Sequence, residues 1–333
     1  MYNLLGICLA LTLLLAINSI ASLAVAALWR SVASPSLKWP AAARARLLFA
    51  LRMFPTTAAF VAVALFFIPS YLSYEPTRTG EVVTAKLGLL SILSAVAILL
   101  VIWRLVTSWN ATHRLVANWR QHAKTIKIEG VSIPAYRVQH PFPVIAIVGV
   151  MRPRLFIAEQ IFQSLNQDEI AAAILHEMGH LAARDNLKRW LICACRDLLA
   201  IVPAGRFLDR EFIEATEAAA DEFAARKGCS VALDLAAAII RIARMVPSGA
   251  RPTMPAGAFL VGERSGAIEG RVRRLTQIAD AGNANNDQRA RLLSLITRCC
   301  LGASLAAVVL AAMTPSVLAT LHRGIEQIVI ALN

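Results

Sequence analysis

Four stretches of the chain are apolar on every face and long enough to cross a bilayer, which takes roughly 20 consecutive apolar residues. They run from Leu4 to Trp29, from about Met53 to Tyr74, from Leu87 to Trp103 and from about Leu301 to Leu321. No Lys or Arg precedes Arg30. The first stretch therefore lacks the positive lead of a cleaved signal and is expected to be an uncleaved span.

Between the third and fourth stretches the pattern changes. Short β-rich runs occupy Lys124–Ile128, Val144–Val148 and Arg154–Ile157, with Gly149 and Pro153 marking a turn. From Asn166 to Gly228, Ala, Leu, Arg and Glu dominate and a helical reading follows, whereas 247–270 is rich in Pro and Gly and reads as loop. The expected organisation is three membrane helices in 1–107, a soluble domain in 108–296, and a fourth membrane helix with a short tail in 297–333. In fold class this is an α-helical membrane protein with an α+β domain inserted between spans three and four.

Composition agrees with a membrane protein. The chain is 57% hydrophobic and 17% charged, with a mean hydropathy of +0.59, where soluble domains are nearer half apolar and a quarter charged. The net charge of +13 sits mainly beside the apolar runs. No basic stretch is interleaved with aromatics, so direct nucleic-acid binding is not expected.

That charge sets an orientation. Arg30, Lys38, Arg44 and Arg46 follow the first span, and the loop after the second is near balance. Arg104, Arg114, Arg120, Lys124 and Lys127 follow the third, and Arg289, Arg291 and Arg298 precede the fourth. Both termini are thus expected outside and the domain inside. The six cysteines lack metal or redox spacing, which suits buried thiols facing a reducing cytoplasm.

Candidate chemistry centres on Ala173-Ile-Leu-His176-Glu177-Met-Gly-His180-Leu. On a helix, His176 and His180 share a face and can bind one metal from adjacent turns, with Glu177 beside them as general base. Alone, the motif is matched by a helix that merely carries two histidines. A catalytic zinc site needs a third protein ligand and an open position for water. Glu217 and Asp221, four residues apart in an alanine-rich helical stretch, offer one carboxylate for the metal and one to orient a ligand imidazole. Glu214, one turn earlier, is the reserve ligand. Asn166 is a plausible N-cap for the metal helix.

With these motifs placed, the chain resembles the BlaR/MecR-type membrane metallopeptidases. The resemblance rests on Phe142–Ala158, on His176-Glu-Met-Gly-His180-Leu-Ala-Ala-Arg184-Asp185-Asn186-Leu, on the Glu217/Asp221 pair and on Glu269-Gly-Arg-Val-Arg-Arg-Leu275. Three spans before the domain and one after it also match. It implies a zincin-like α+β metallopeptidase domain holding one Zn²⁺ per chain on His176, His180 and Glu217. Glu177 is then the catalytic base and Asp221 a support behind the ligands.

Asp185 and Arg184 are further orienting candidates, although a helix-end salt bridge explains them equally. The strand Val144-Ile145-Ala146-Ile147-Val148 is expected to hold substrate by strand addition. The implied setting is the bacterial inner membrane. The implied substrate is a protein or peptide, such as a transcriptional repressor or the chain itself. Only about twelve residues follow the fourth span, so a penicillin-binding sensor is not expected there. Two alternatives stay open: an HtpX-like quality-control protease, and a non-catalytic metal-binding membrane sensor. Residues 187–213 carry too many charges for the spans that the first usually has there, and Glu177 argues against the second.

Overall fold

The computed structural model describes residues 2–37, 39–75, 83–200, 203–246, 265–281 and 306–332. The first three apolar stretches lie in α1 (Tyr2–Ser36), in α2 (Ala41–Val61) with its continuation, and in α4 (Ala85–Gln121). The continuation of α2 is a π-helical stretch, Ala62–Phe67, followed by α3 (Ile68–Tyr74). Pro69 has no N–H to donate back, and a widened turn just ahead of it relieves that loss.

All three helical runs are long and apolar enough to cross a membrane. Each also outlasts its apolar stretch, because hydropathy marks where a helix meets lipid and not where its hydrogen-bond ladder stops. The 37 residues of α4 extend about 55 Å against about 30 Å of hydrocarbon. Its last turns bring Val116 and Trp119 into the core of the following domain.

That domain opens with a mixed four-stranded sheet of β1 (Lys124–Ile126), β2 (Ala135–Val138), β3 (Ile145–Val148) and β4 (Arg154–Ala158), in the order β1-β2-β4-β3. β2 was not foreseen: four residues behind Pro134, only two of them buried, are too short to show alternation. β3 is an edge strand, antiparallel to β4 with Ile145 opposite Ile157 and Ile147 opposite Leu155. The tight turn between them needs Gly149, whose φ is +110° and whose absent Cβ would fall 2.8 Å from the Arg152 carbonyl oxygen.

Helices α5 (Glu159–Ser164), α6 (Gln167–Ala183), α7 (Asp185–Ala200), α8 (Pro203–Ala225), α9 (Cys229–Met245) and α10 (Ser265–Ala281) complete the domain. The expected loop at 247–270 is corrected in part. Its last six residues begin α10, where the apolar period Ile268, Val272, Leu275 packs on the core, and 247–264 lies outside the described residues. Leu155, Phe156, Ile157, Ile161, Ala173, Leu235 and Ile239 form the centre of that core.

A second cluster joins the domain to the membrane helices: Val25 and Trp29 of α1, Leu48 and Leu51 of α2, Ile192 of α7, and Leu208 and Phe212 of α8. Of the fourth apolar stretch, residues 301–305 lie outside the described residues. The remainder comprises α11 (Ala306–Ala312) and the beginning of α12 (Pro315–Leu332), which meet at 75°. Pro315, suited to a helix start and not to a helix interior, sits at the break.

Candidate metal centre

Helix α6 carries the two histidines. Asn166 caps it through a reciprocal pair of bonds: Glu169 N–H donates to Asn166 Oδ1 at 2.8 Å, and Asn166 N–H donates to Glu169 Oε2 at 3.0 Å. Gly179 allows α8 to approach, since a Cβ there would lie 3.1 Å from Ala220 Cα. That approach sets Glu217 against His176 and His180.

His176 Nε2 is 3.5 Å from Glu217 Oε2, and His180 Nε2 is 3.4 Å from Glu217 Oε1. Tetrahedral zinc bonds of about 2.0–2.2 Å place neighbouring ligand atoms about 3.3–3.6 Å apart. One donor atom from each of the three residues falls within a 4.8 Å group that could hold a metal ion. His176 Nε2 and Glu217 Oε2 are buried and make no hydrogen bond among the described residues. The donor set therefore fits a metal.

The outward nitrogens are held from behind. Asp221 Oδ1 faces His176 Nδ1 at 2.9 Å, and Asp185 Oδ2 faces His180 Nδ1 at 2.8 Å. Arg184 makes the second contact possible: its left-handed conformation, φ 54°, ends α6 and turns the chain so that Asp185 starts α7 beneath His180. Asp185 also pairs with Lys188 at 3.1 Å, so the helix-end salt bridge and the imidazole contact coexist.

Two arginines without an assigned role in the sequence reading complete the centre. Arg189 donates to Glu217 Oε1 at 3.0 Å and to Thr216 Oγ1 at 3.3 Å. Arg271, from α10, donates to both oxygens of Asp221 at 2.9 and 2.7 Å, and its Nη1 lies 3.3 Å from Glu217 Oε2. Only the stretch Glu269–Leu275 hinted at Arg271; nothing in the spacing singled out Arg189. Glu214 does not join the cluster and instead pairs on the surface with Arg210 at 2.9 Å.

These contacts fix the charges. Burial works against a charged His180, but the charge of Glu217 and hydrogen bonds to Asp185 and Glu217 prevail and raise its pKa to about 9. His176 is likewise raised, with burial outweighed by Asp221 and Glu217. Burial would raise Glu217, yet His180, His176 and Arg271 hold it well below the usual carboxylate range. Asp221 is held at about 2 by Arg271 and His176 against the same burial.

Glu177 lies one residue along from His176 and is 5% exposed. It points toward the sheet, where its Oε2 accepts the Ile147 N–H at 3.0 Å. Asn186 Nδ2 donates to the Ile147 and Gly149 carbonyls at 2.8 and 3.2 Å. Ala158 N–H bonds the Val144 carbonyl, so by antiparallel alternation the backbone groups of Ile145 and Ile147 point away from β4. At Ile147 both are engaged by Glu177 and Asn186. At Ile145 no partner occurs among the described residues.

A domain that offers two imidazoles and a carboxylate to one ion, with a further buried carboxylate beside them, and that is built onto helices able to cross a membrane, has the features of a membrane metallopeptidase. The family model described as BlaR1 peptidase M56 matches residues 20–272, and the chain belongs to that family. No curated protein matches the chain.

Proposed function

We propose that the protein is a zinc-dependent endopeptidase of the bacterial inner membrane that cleaves a regulatory protein, such as a repressor, or itself. The observation that carries this reading is the convergence, within 4.8 Å, of ligand atoms from His176 and His180, on the helix that also bears Glu177, and from Glu217 on α8. His176, His180 and Glu217 hold Zn²⁺. When bound there, zinc supplies Lewis acidity that polarises a peptide carbonyl and brings the pKa of water toward neutrality.

The chain's own residues do the rest. Glu177 takes the water proton and passes it to the leaving amine. Asp221 and Asp185 fix the ring orientation of the two imidazoles and strengthen them as ligands. Arg271 and Arg189 keep Glu217 and Asp221 ionised and in place. Strand addition by substrate would use the outward pair at Ile145 and requires the cover over this edge to part, since Ile145 is 1% exposed. Ile147, pinned between Glu177 and Asn186, holds β3 at a set distance from the base. The charge asymmetry of the loops supports termini outside, the peptidase domain in the cytoplasm, and a fourth crossing after that domain.

Quantitative proteomics of cells expressing the wild type or Glu177→Ala tests this reading. Specific cleavage products should vanish in the variant while the membrane level of the protein is unchanged. Identical product profiles would argue against proteolysis.

A further inference from the structure

We infer that the ends of α7 and α8 remote from the metal centre dip into the leaflet of the bilayer on the peptidase side, and that their partner there is lipid acyl chain. The positions of two helices along α2 and α4 carry this, independently of the catalytic reading.

Helix α8 runs antiparallel to α2. Near the start of α2, Ala41 N–H lies 3.4 Å from Glu222 Oε1. Farther along, Arg44 pairs with Glu211, and Arg52 Nε donates to Asp209 Oδ1 at 2.6 Å. Arg52 is the last charge before the apolar stretch Met53–Tyr74 and is only 1% exposed. From Asp209 back to Pro203, α8 continues six residues past this level, about 9 Å.

Helix α7 does the same from the other direction. Trp190 Nε1 donates to the Leu105 carbonyl at 3.4 Å, next to the end of the third apolar stretch. Cys195 lies level with the beginning of the second: its carbonyl accepts from Arg52 Nη1 at 3.3 Å and its Sγ is 3.8 Å from Met53 Sδ. The helix runs on to Ala200, five residues or about 8 Å deeper.

The sequence suits that depth. Neither Leu198–Ala200 at the end of α7 nor Pro203–Gly205 at the start of α8 carries a charge, as expected of helix ends that enter hydrocarbon. Phe207 is 49% exposed on the membrane side of Asp209, where an outward ring meets acyl chain and not water. Dipping by about 8–9 Å is too shallow to span, so the charges nearer the metal centre are no obstacle. Glu217 stands eight residues from Asp209, about 12 Å along the same helix. The metal centre thus hangs from two helices whose far ends sit in lipid.

The test compares Phe207 with Leu233 of α9, which is equally exposed at 49% but lies in the soluble core region. Full-length protein with its native cysteines replaced, checked for retained metal, is spin-labelled at Phe207→Cys or Leu233→Cys and placed in lipid nanodiscs. Oxygen should relax the label at 207 several-fold more effectively than a water-soluble nickel chelate does, with the order reversed at 233. Equal nickel access at both sites would overturn the proposal, as would protection of the label at 207 from both reagents. If the cysteine-replaced chain fails to bind metal, p-benzoylphenylalanine at 207 in the otherwise native chain replaces it. Photolysis in vesicles must then yield lipid adducts at 207 and not at 233; their absence at 207 would equally overturn it.

Discussion

Glu217 stands between two imidazoles and two guanidiniums, and the division of labour around it can be measured one residue at a time. Removing it by Glu217→Ala is expected to abolish metal binding and activity, since no other carboxylate among the described residues reaches both imidazoles. Asp221→Ala leaves the ligand set intact but frees His176 and part of Arg271, so a 10–100-fold loss in metal affinity or turnover follows. Among the described residues Glu214 pairs only with Arg210, on the surface, and Glu214→Ala should change little. Metal content and turnover across the three variants check this order; an empty site in Glu214→Ala would move the ligand assignment by one turn.

Protonation gives a second prediction at this scale. With its pKa raised to about 9, His180 holds a proton at neutral pH that an incoming ion must displace. Apparent metal affinity should therefore rise about tenfold per pH unit for each proton released, and level off near pH 9. Competition with a metal chelator between pH 6 and 10 measures it. A plateau already reached near the ordinary histidine value of 6.5 would contradict the contacts assigned to Asp185 and Glu217.

Among the elements, α6 was legible because its signals are local: the Asn166 cap, the helical run, and histidines four residues apart. The contact of α6 with α8 was legible only as an oddity, a glycine inside a good helix. There a Cβ at position 179 would press on Ala220 Cα at 3.1 Å and Phe223 Cβ at 3.2 Å. Gly179→Ala gains about 1 kcal/mol in helix propensity, but the neighbour it strikes is backbone, and overpacking of this kind costs about 1–3 kcal/mol. The variant is expected to lose stability and to bind metal more weakly, because Glu217 moves away with α8. A thermal shift upward with unchanged affinity would show that the interface yields freely.

At the scale of the whole molecule, what escaped the sequence reading is long-range. Arg271 reaches Asp221 across 50 residues, and Asn186 reaches Ile147 across 39; neither pairing leaves a periodic trace. Strand β2 was hidden by brevity, and the extent of α4 by a hydropathy pattern that registers lipid and not helix. The membrane helices and the peptidase domain were separable in sequence, yet Arg52, Asp209 and the Trp29–Phe212 cluster join them into one packed unit.

The claim on which the rest depends is that one metal ion sits between α6 and α8, and metal analysis of purified full-length protein tests it most directly. The wild type and Glu177→Gln should each carry about one zinc per chain, since Glu177 serves as base and is not one of the three converging ligands. His176→Ala and His180→Ala should carry none. Full occupancy in both histidine variants, or loss of zinc in Glu177→Gln alone, would contradict the account.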